Sequence, residues 1–277
     1  MMSKDSYKID MCNGPVLPKV IAFSLPLMLS SCLQLLFNAA DVIVVGRFAG
    51  SSSLAAVGST TTIINLLTNL FIGFSIGANV NVALTLGNGD DKGTRDNVHT
   101  AVSVSLISGI ALVIIGVLTA RPFLTWMGTP DDVIGKATLY LTIIFIGMPS
   151  NMAYNFGSSI LRAMGDTKRP LYFLSAAGVL NIILNLIFVI LFRMDVAGVA
   201  LATILSETLS AVLILGCLCK TKGACHLNIR KLYIHPTQLK RMLRIGLPAG
   251  IQAALFSFSN VLIQSSINSF GSVVMAG

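Results

Sequence analysis

The 277-residue chain carries 19 Lys and Arg against 11 Asp and Glu, a formal net charge of +8, yet only 11% of its residues are charged and 54% are hydrophobic. Soluble domains carry about a quarter charged residues, so this composition, with a mean hydropathy of +0.82, excludes an ordinary soluble domain. No charged side chain occurs from Phe48 through Gly89 or from Ile245 to Gly277, and each stretch exceeds the roughly 20 residues that a membrane-crossing helix needs.

Seven apolar spans follow in chain order, at 18–45, 54–86, 98–120, 137–160, 170–192, 196–219 and 243–270. They are expected to be helices, because lipid offers the backbone no hydrogen-bond partners. Ten-residue segments of alternating polarity, the signature of a membrane barrel, are absent. Residues 1–17 precede the first span as a polar N-terminal segment. That span is too long for a cleaved signal and is followed by hairpin after hairpin. It carries Pro26, which removes one backbone hydrogen bond and favours a kink, and then Gln34, Asn38 and Asp41. The second span holds Gly73-Phe74-Ser75-Ile76-Gly77, where small residues permit close helix approach. Asn65/Asn69 on the second span and Asn151/Asn155 on the fourth are one-turn pairs expected to hydrogen-bond neighbouring helices.

The fifth span carries Asn181 and Asn185, again one turn apart, and the sixth carries Thr203 and Glu207. Gln34, Asn38 and Asp41 fall at i, i+4 and i+7, on one helical face. Asp41 and Glu207 are the two acids within the spans, and an intramembrane acid is a functional hypothesis by default. Carboxylate, amide and hydroxyl oxygens are hard ligands suited to Na⁺ or to a proton relay. Asp41 is therefore read as an ion-coupling residue. Gln34, Asn38 and Glu207 are candidates for lining a cavity or relaying protons, and Glu207 fits a wet cavity without a bound ion equally well. No cofactor is expected beyond the coupling ion.

Residues 220–242 form the longest polar stretch, rich in Lys and Arg with a lone Pro236, and read as a basic linker. The cysteines and histidine around it (Cys217, Cys219, Cys225, His226) match no usual zinc spacing. With the N-terminus in the cytoplasm, Lys92, Arg95, Arg162, Lys168, Arg169 and the linker cations all fall inside, and Arg47, Arg121, Lys136 and Arg193 fall outside. That asymmetry satisfies the positive-inside rule and places the chain in the cell membrane. Basic loops beside an anionic leaflet account for the net charge, so membrane lipids are expected partners and nucleic acid is not. A phosphate-binding loop ending in Lys-Ser/Thr and any Ser/His/Asp or Cys/His arrangement are missing, which argues against an ATP-driven pump or an enzyme.

The seventh span restarts the first. Leu25-Pro26 recurs as Leu247-Pro248, and in that register Leu33/Leu255, Asn38/Asn260 and Phe48/Phe270 coincide while Lys19 meets Arg241. Six spans separate the two starts, so the units would be parallel repeats, as in some secondary transporters. The expected organisation is a first six-helix lobe over 18–219, the linker at 220–242, and the first helix of a second lobe over 243–277, with five further helices in a full-length protein. Asp41 aligns with Ile263, so the helix repeats while its acid does not.

Phe23-Ser24-Leu25-Pro26 leading to Asn38-Ala39-Ala40-Asp41 and Val45-Gly46-Arg47-Phe48 resembles the opening helix of the multidrug and toxic compound extrusion (MATE) family. The run from Arg162 to Pro170 resembles that family's loop between the fourth and fifth helices. The segments 181–185 and 198–203 resemble its fifth and sixth helices. The resemblance implies an all-α exporter with two six-helix lobes around a central cavity, exchanging Na⁺ or H⁺ for amphipathic, often cationic, organic compounds. It also implies that Asp41, Asn181, Asn185 and Thr203 form the cation site of the first lobe. Many members carry an acid where this chain has Asn185, and some carry a seventh-helix glutamate at the place of Phe256. Alternatives are a lipid-linked oligosaccharide flippase of the same superfamily and a truncated, non-transporting membrane subunit.

Overall fold

A backbone surrounded by hydrocarbon must satisfy its N–H and C=O groups within its own segment. The computed structural model describes residues 15–270 together with Tyr7 and Ile9, and among them no strand forms. The helices are α1 (Val16–Phe48), α2 (Ser51–Gly87), α3 (Asp91–Trp126), α4 (Asp131–Ile146), α5 (Met148–Ala163), α6 (Lys168–Leu186), α7 (Asp195–Lys220) and α8 (Pro236–Asn268). A π turn, Ile187–Leu191, continues α6, and a 3-10 turn, Ile229–Lys231, lies between α7 and α8. Six helices are individually long and apolar enough to cross a membrane, and counting the bent pair α4–α5 as one span gives seven. The fold is an all-α, multi-span membrane protein.

The fourth expected span differs from a simple crossing. It bends by 48° at Gly147, between α4 and α5. Pro149 has no N–H to carry the helical ladder past the break. Gly147 also lies so close to α7 that an added Cβ would sit 2.5 Å from Ile204 Cγ1. The bend therefore seats the start of α5, with Asn151 and Asn155, against α7. By contrast α1 runs unbroken through Pro26, and the Ser30 hydroxyl donates to the Pro26 carbonyl at 2.8 Å.

The interior is apolar, with Phe145, Phe156, Leu112, Leu124, Met152 and Ile214 among its fully buried large side chains. Much of α1 lies outside this core, exposing Leu25, Met28, Leu35, Leu36 and Ile43. Loop geometry near Arg193 and Asp195 is strained, as both adopt positive φ (52° and 53°) without being glycine. Asp195 is held there by Lys136 of α4 at 2.8 Å, and Lys136 also donates to Ser53 of α2.

α3 begins earlier than expected, at Asp91, capped by Asp90 accepting from Gly93 N–H at 2.8 Å. This polar first part extends beyond the apolar span and carries the connection between α7 and α8. His99 accepts from Asn228 N–H at 3.2 Å, Thr100 accepts from His235 N–H at 3.0 Å, and the Tyr233 hydroxyl donates to Asp96 at 2.5 Å. Burial and the Asp96 carboxylate push the Tyr233 hydroxyl up to about 12. α8 starts at Pro236, inside the stretch read as linker, with the proline in the first turn where a missing N–H is harmless. Its Gln238 side chain accepts from Asn81 of α2 at 3.2 Å, and Asn81 donates to Asn97 of α3 at 2.5 Å.

α1 and α8 are both 33 residues long and each holds an internal proline, Pro26 and Pro248. α8 packs along α2 through two glycine pairs. A Cβ on Gly73 would meet Gly250, a Cβ on Gly77 would meet the Met242 carbonyl, and a Cβ on Gly246 would lie 2.7 Å from Phe74 Cα. The small-residue stretch read at 73–77 is thus a contact of backbone with backbone, and Asn69 donates across it to Ser257 at 2.8 Å. Gly246→Ala is expected to lower the thermal unfolding midpoint in detergent, with overpacking of about 1–3 kcal/mol. Gly58→Ala, where nothing lies within 4 Å of the added Cβ, should leave the midpoint in place; equal midpoints for the two variants would refute the close contact.

Candidate cation site

Asp41 reaches the interior because α1 comes close to α6 one turn earlier. Gly178 on α6 leaves a notch filled by the Phe37 ring, where any Cβ would collide with the ring. One turn beyond on α1 and two turns beyond on α6, Asn185 Nδ2 donates to Asp41 Oδ1. The same nitrogen lies 3.2 Å from Asn181 Oδ1, and Asn181 Nδ2 donates to Thr203 Oγ1 on α7 at 3.4 Å. Thr203 in turn donates to the Val199 carbonyl at 3.0 Å. The four residues picked from sequence therefore form one hydrogen-bonded chain across α1, α6 and α7.

Burial grades along that chain. Asn185 is 0% exposed and Asn181 6% exposed, whereas Asp41 and Thr203 are half-buried. The cluster is closed on its α6 side and reachable from the α1 side. Asn185 Oδ1 is buried without a hydrogen-bond partner, and an unpaired buried acceptor costs about 1–3 kcal/mol. A cation or a proton donor beside it would relieve that. The donor set suits a hard ion: one carboxylate, amide oxygens and a hydroxyl. Among the described residues no Lys or Arg pairs with Asp41. The π turn starts two residues after Asn185, and such bulges frequently sit at functional sites.

Gln34 and Asn38 share the Asp41 face by spacing, but both are exposed and stand outside this cluster. Glu207, half-buried one turn after Thr203, belongs to a second one. Asn151 of α5 donates to Glu207 Oε1 at 2.7 Å, and Asn155 Nδ2 donates to Asn151 Oδ1 at 2.9 Å. Beside it the Ser150 and Thr208 hydroxyls are 3.0 Å apart. Of the pair, Asn151 bonds across helices as expected, to an acid that spacing could not disclose, whereas Asn155 bonds within α5. Tyr140 of α4, buried within electrostatic reach of both Asp41 and Glu207, carried no signal in the sequence beyond being a tyrosine within a span.

The family model described as MatE matches residues 26–187, which include Asp41, Asn181 and Asn185. The chain belongs to the MatE family, the multidrug and toxic compound extrusion transporters. Probable multidrug resistance protein YpnP of Bacillus subtilis (strain 168) is 31% identical over 277 residues, covering 97% of this chain and 60% of that protein. A solved MATE in the bent conformation superposes with a TM-score of 0.79 at 28% identity, covering 86% of this chain and 53% of the other. A MATE in the straight conformation gives 0.76 at 29%, covering 84% and 52%. The chain thus spans between half and about three fifths of the MatE relatives it matches. Membership in this transporter family, with several membrane spans, gives a membrane location.

The Phe37–Gly178 notch sets the separation of α1 from α6. Gly178→Val should push α1 outward and part Asp41 from Asn185. Spin labels on exposed positions of α1 and α6 should then report a longer distance, with helical content unchanged; an unaltered distance would show that the notch does not set the approach.

Proposed function

We propose that this chain forms the first lobe, and the first helix of the second, of a secondary active exporter in the cell membrane that exchanges Na⁺ or H⁺ for amphipathic, often cationic, organic compounds. The observation that carries the reading is the hydrogen-bonded chain from Asp41 through Asn185 and Asn181 to Thr203. In this reading Asp41 supplies the charge, Asn181 and Asn185 supply amide oxygens, and Thr203 supplies a hydroxyl. The lobe comprises 18–219, the linker 220–242 lies in the cytoplasm with the N-terminus, and a central cavity is completed by further helices of the second lobe. Exposed Gln34 and Asn38 then line that cavity.

The energetics are adequate. Moving one charge inward down 100 mV supplies about 2.3 kcal/mol, roughly fiftyfold in concentration at tenfold per 1.4 kcal/mol. One ion per cycle therefore suffices for a useful gradient of a neutral compound, whereas for a monovalent cation the electrical work cancels and the ion's own concentration gradient drives the exchange. The ion neutralises Asp41 and changes what α1 gains from lying against α6. Pro26, lacking an N–H, is the weak point about which α1 bends in response. That the solved neighbours include a MATE in bent and in straight conformations supports such a transition.

In the complete transporter, Asp41→Asn is expected to insert normally and to lose coupled dye efflux from vesicles, cutting the attainable gradient of a neutral dye by up to about fiftyfold at 100 mV. Varying Na⁺ and pH separately identifies the ion. Undiminished efflux in the variant would sink the role of Asp41.

A further inference from the structure

We propose that the connection from α7 to α8, together with the first turns of α3, forms a binding site for the phosphate of an anionic phospholipid in the adjoining leaflet. The exporter reading contributes only the side, cytoplasmic, on which this connection lies. An open pocket of about 470 Å³ there is lined by Arg95 of α3, Lys220 at the end of α7, and Lys222 and His226 of the connection, with no acid among its described lining residues. The turn that carries Lys222 and His226 is fixed in place. Gly223 takes a positive φ of 92°, the His226 N–H donates to the Gly223 carbonyl at 3.1 Å, and the Leu227 N–H donates back to the Leu218 carbonyl of α7 at 3.2 Å. Cys225 and Leu227 are buried and anchor the turn.

The positive charge of the pocket is unopposed. Among the described residues the ion pairs are Lys136–Asp195, Arg169–Asp166 and His235–Asp96, so Arg95, Lys220 and Lys222 each stand outside one. Asp96, beside Arg95 in sequence, accepts from the Tyr233 hydroxyl instead. A helix C-terminus is partially negative and would repel an anion, but the last carbonyls of α7 are taken. Leu218 accepts from Leu227, Cys217 accepts from the Thr221 hydroxyl at 2.9 Å, and the Thr221 carbonyl lies 3.1 Å from His226 Nδ1. Depth favours a lipid over a free anion. Arg95 comes three residues before the apolar stretch of α3 that begins at Val98, and Lys220 directly follows the apolar stretch of α7, so both cations sit where hydrocarbon gives way to headgroups. Leu106 and Ile110 fall about three and four turns on from Arg95, on the same face of α3, and both are exposed, as is Val212 about two turns before Lys220 on α7. Acyl chains thus have an apolar surface to lie on beside the cations. Basic pockets between helices at the cytoplasmic side bind phosphate-bearing lipid headgroups.

The test uses the complete transporter in a neutral detergent, mixed with phosphatidylglycerol or phosphatidylcholine, and counts the retained lipid by native mass spectrometry. Wild type should retain phosphatidylglycerol in preference to phosphatidylcholine. Removing all three cations, in Arg95→Gln/Lys220→Gln/Lys222→Gln, should weaken phosphatidylglycerol binding by about a hundredfold, at roughly fivefold per cation. Arg230→Gln/Lys231→Gln/Lys240→Gln, which removes as many exposed cations outside the pocket, should bind as wild type does. Equal loss in the two variants, or no loss in the first, would overturn the site. Inorganic phosphate at millimolar concentration should leave the lipid in place; displacement of phosphatidylglycerol by it would overturn the lipid assignment in favour of free phosphate. Should the first variant fail to fold, Lys222→Glu in the exposed turn decides, since retention equal to wild type would refute the pocket. None of these measurements involves transport, so Asp41→Asn with full coupled efflux would overturn the exporter reading and leave the lipid result standing.

Discussion

An ionisable side chain inside a bilayer has no water to solvate it, and the architecture of this lobe follows from how that is met at Asp41. The carboxylate is tolerated because Asn185 reaches it from α6, and Asn185 is in place because Phe37 enters the notch left by Gly178. Intramembrane hydrogen bonds are individually weak, about 0.6 kcal/mol on average in one system, so no single bond in the chain holds α1. What holds it is the conjunction of a steric notch and a polar ladder one turn apart along α1. Outside the stretch from Phe37 to Val45, α1 is buried only at Pro26 and Ser30 and is otherwise largely exposed.

Much of this was legible in the sequence. One-turn spacing put Asn181 with Asn185 and Thr203 with Glu207, and scarcity of charge singled out Asp41. Such patterns report which residues share a helical face, and here the faces converge. Spacing is silent about the far side of a contact. Nothing in the asparagine pair of α5 names Glu207 as its partner, because the 48° bend at Gly147 sets where α5 points. A single Met148-Pro149 step inside an apolar run reads equally as a static kink. The polar start of α3 was missed for a related reason. Hydropathy ends a span where charges begin, whereas Asp90 caps a helix that continues past the lipid to carry the linker.

The α2–α8 contact separates two meanings of a lobe. By sequence, α8 restarts α1, sharing its length, its internal proline and the Leu-Pro register. By packing, α8 lies on α2, its glycines against those of α2, with Gln238 joined to Asn81. Backbone-to-backbone contact leaves no flexible side chain to yield, so such a seam slides or separates as a unit.

The two polar clusters meet on α7. Thr203 ends the Asp41 chain and Glu207 opens the Asn151 chain, one helical turn apart, while Asn155 extends the second chain along α5. A helix gripped at two adjacent turns by different neighbours cannot satisfy both equally if it rotates or shifts. α5 meets α4 at the Gly147 bend, which itself abuts Ile204 between those two turns, so both contacts lie beside the same bend. The lobe thus places one bend between two polar contacts made on the same helix.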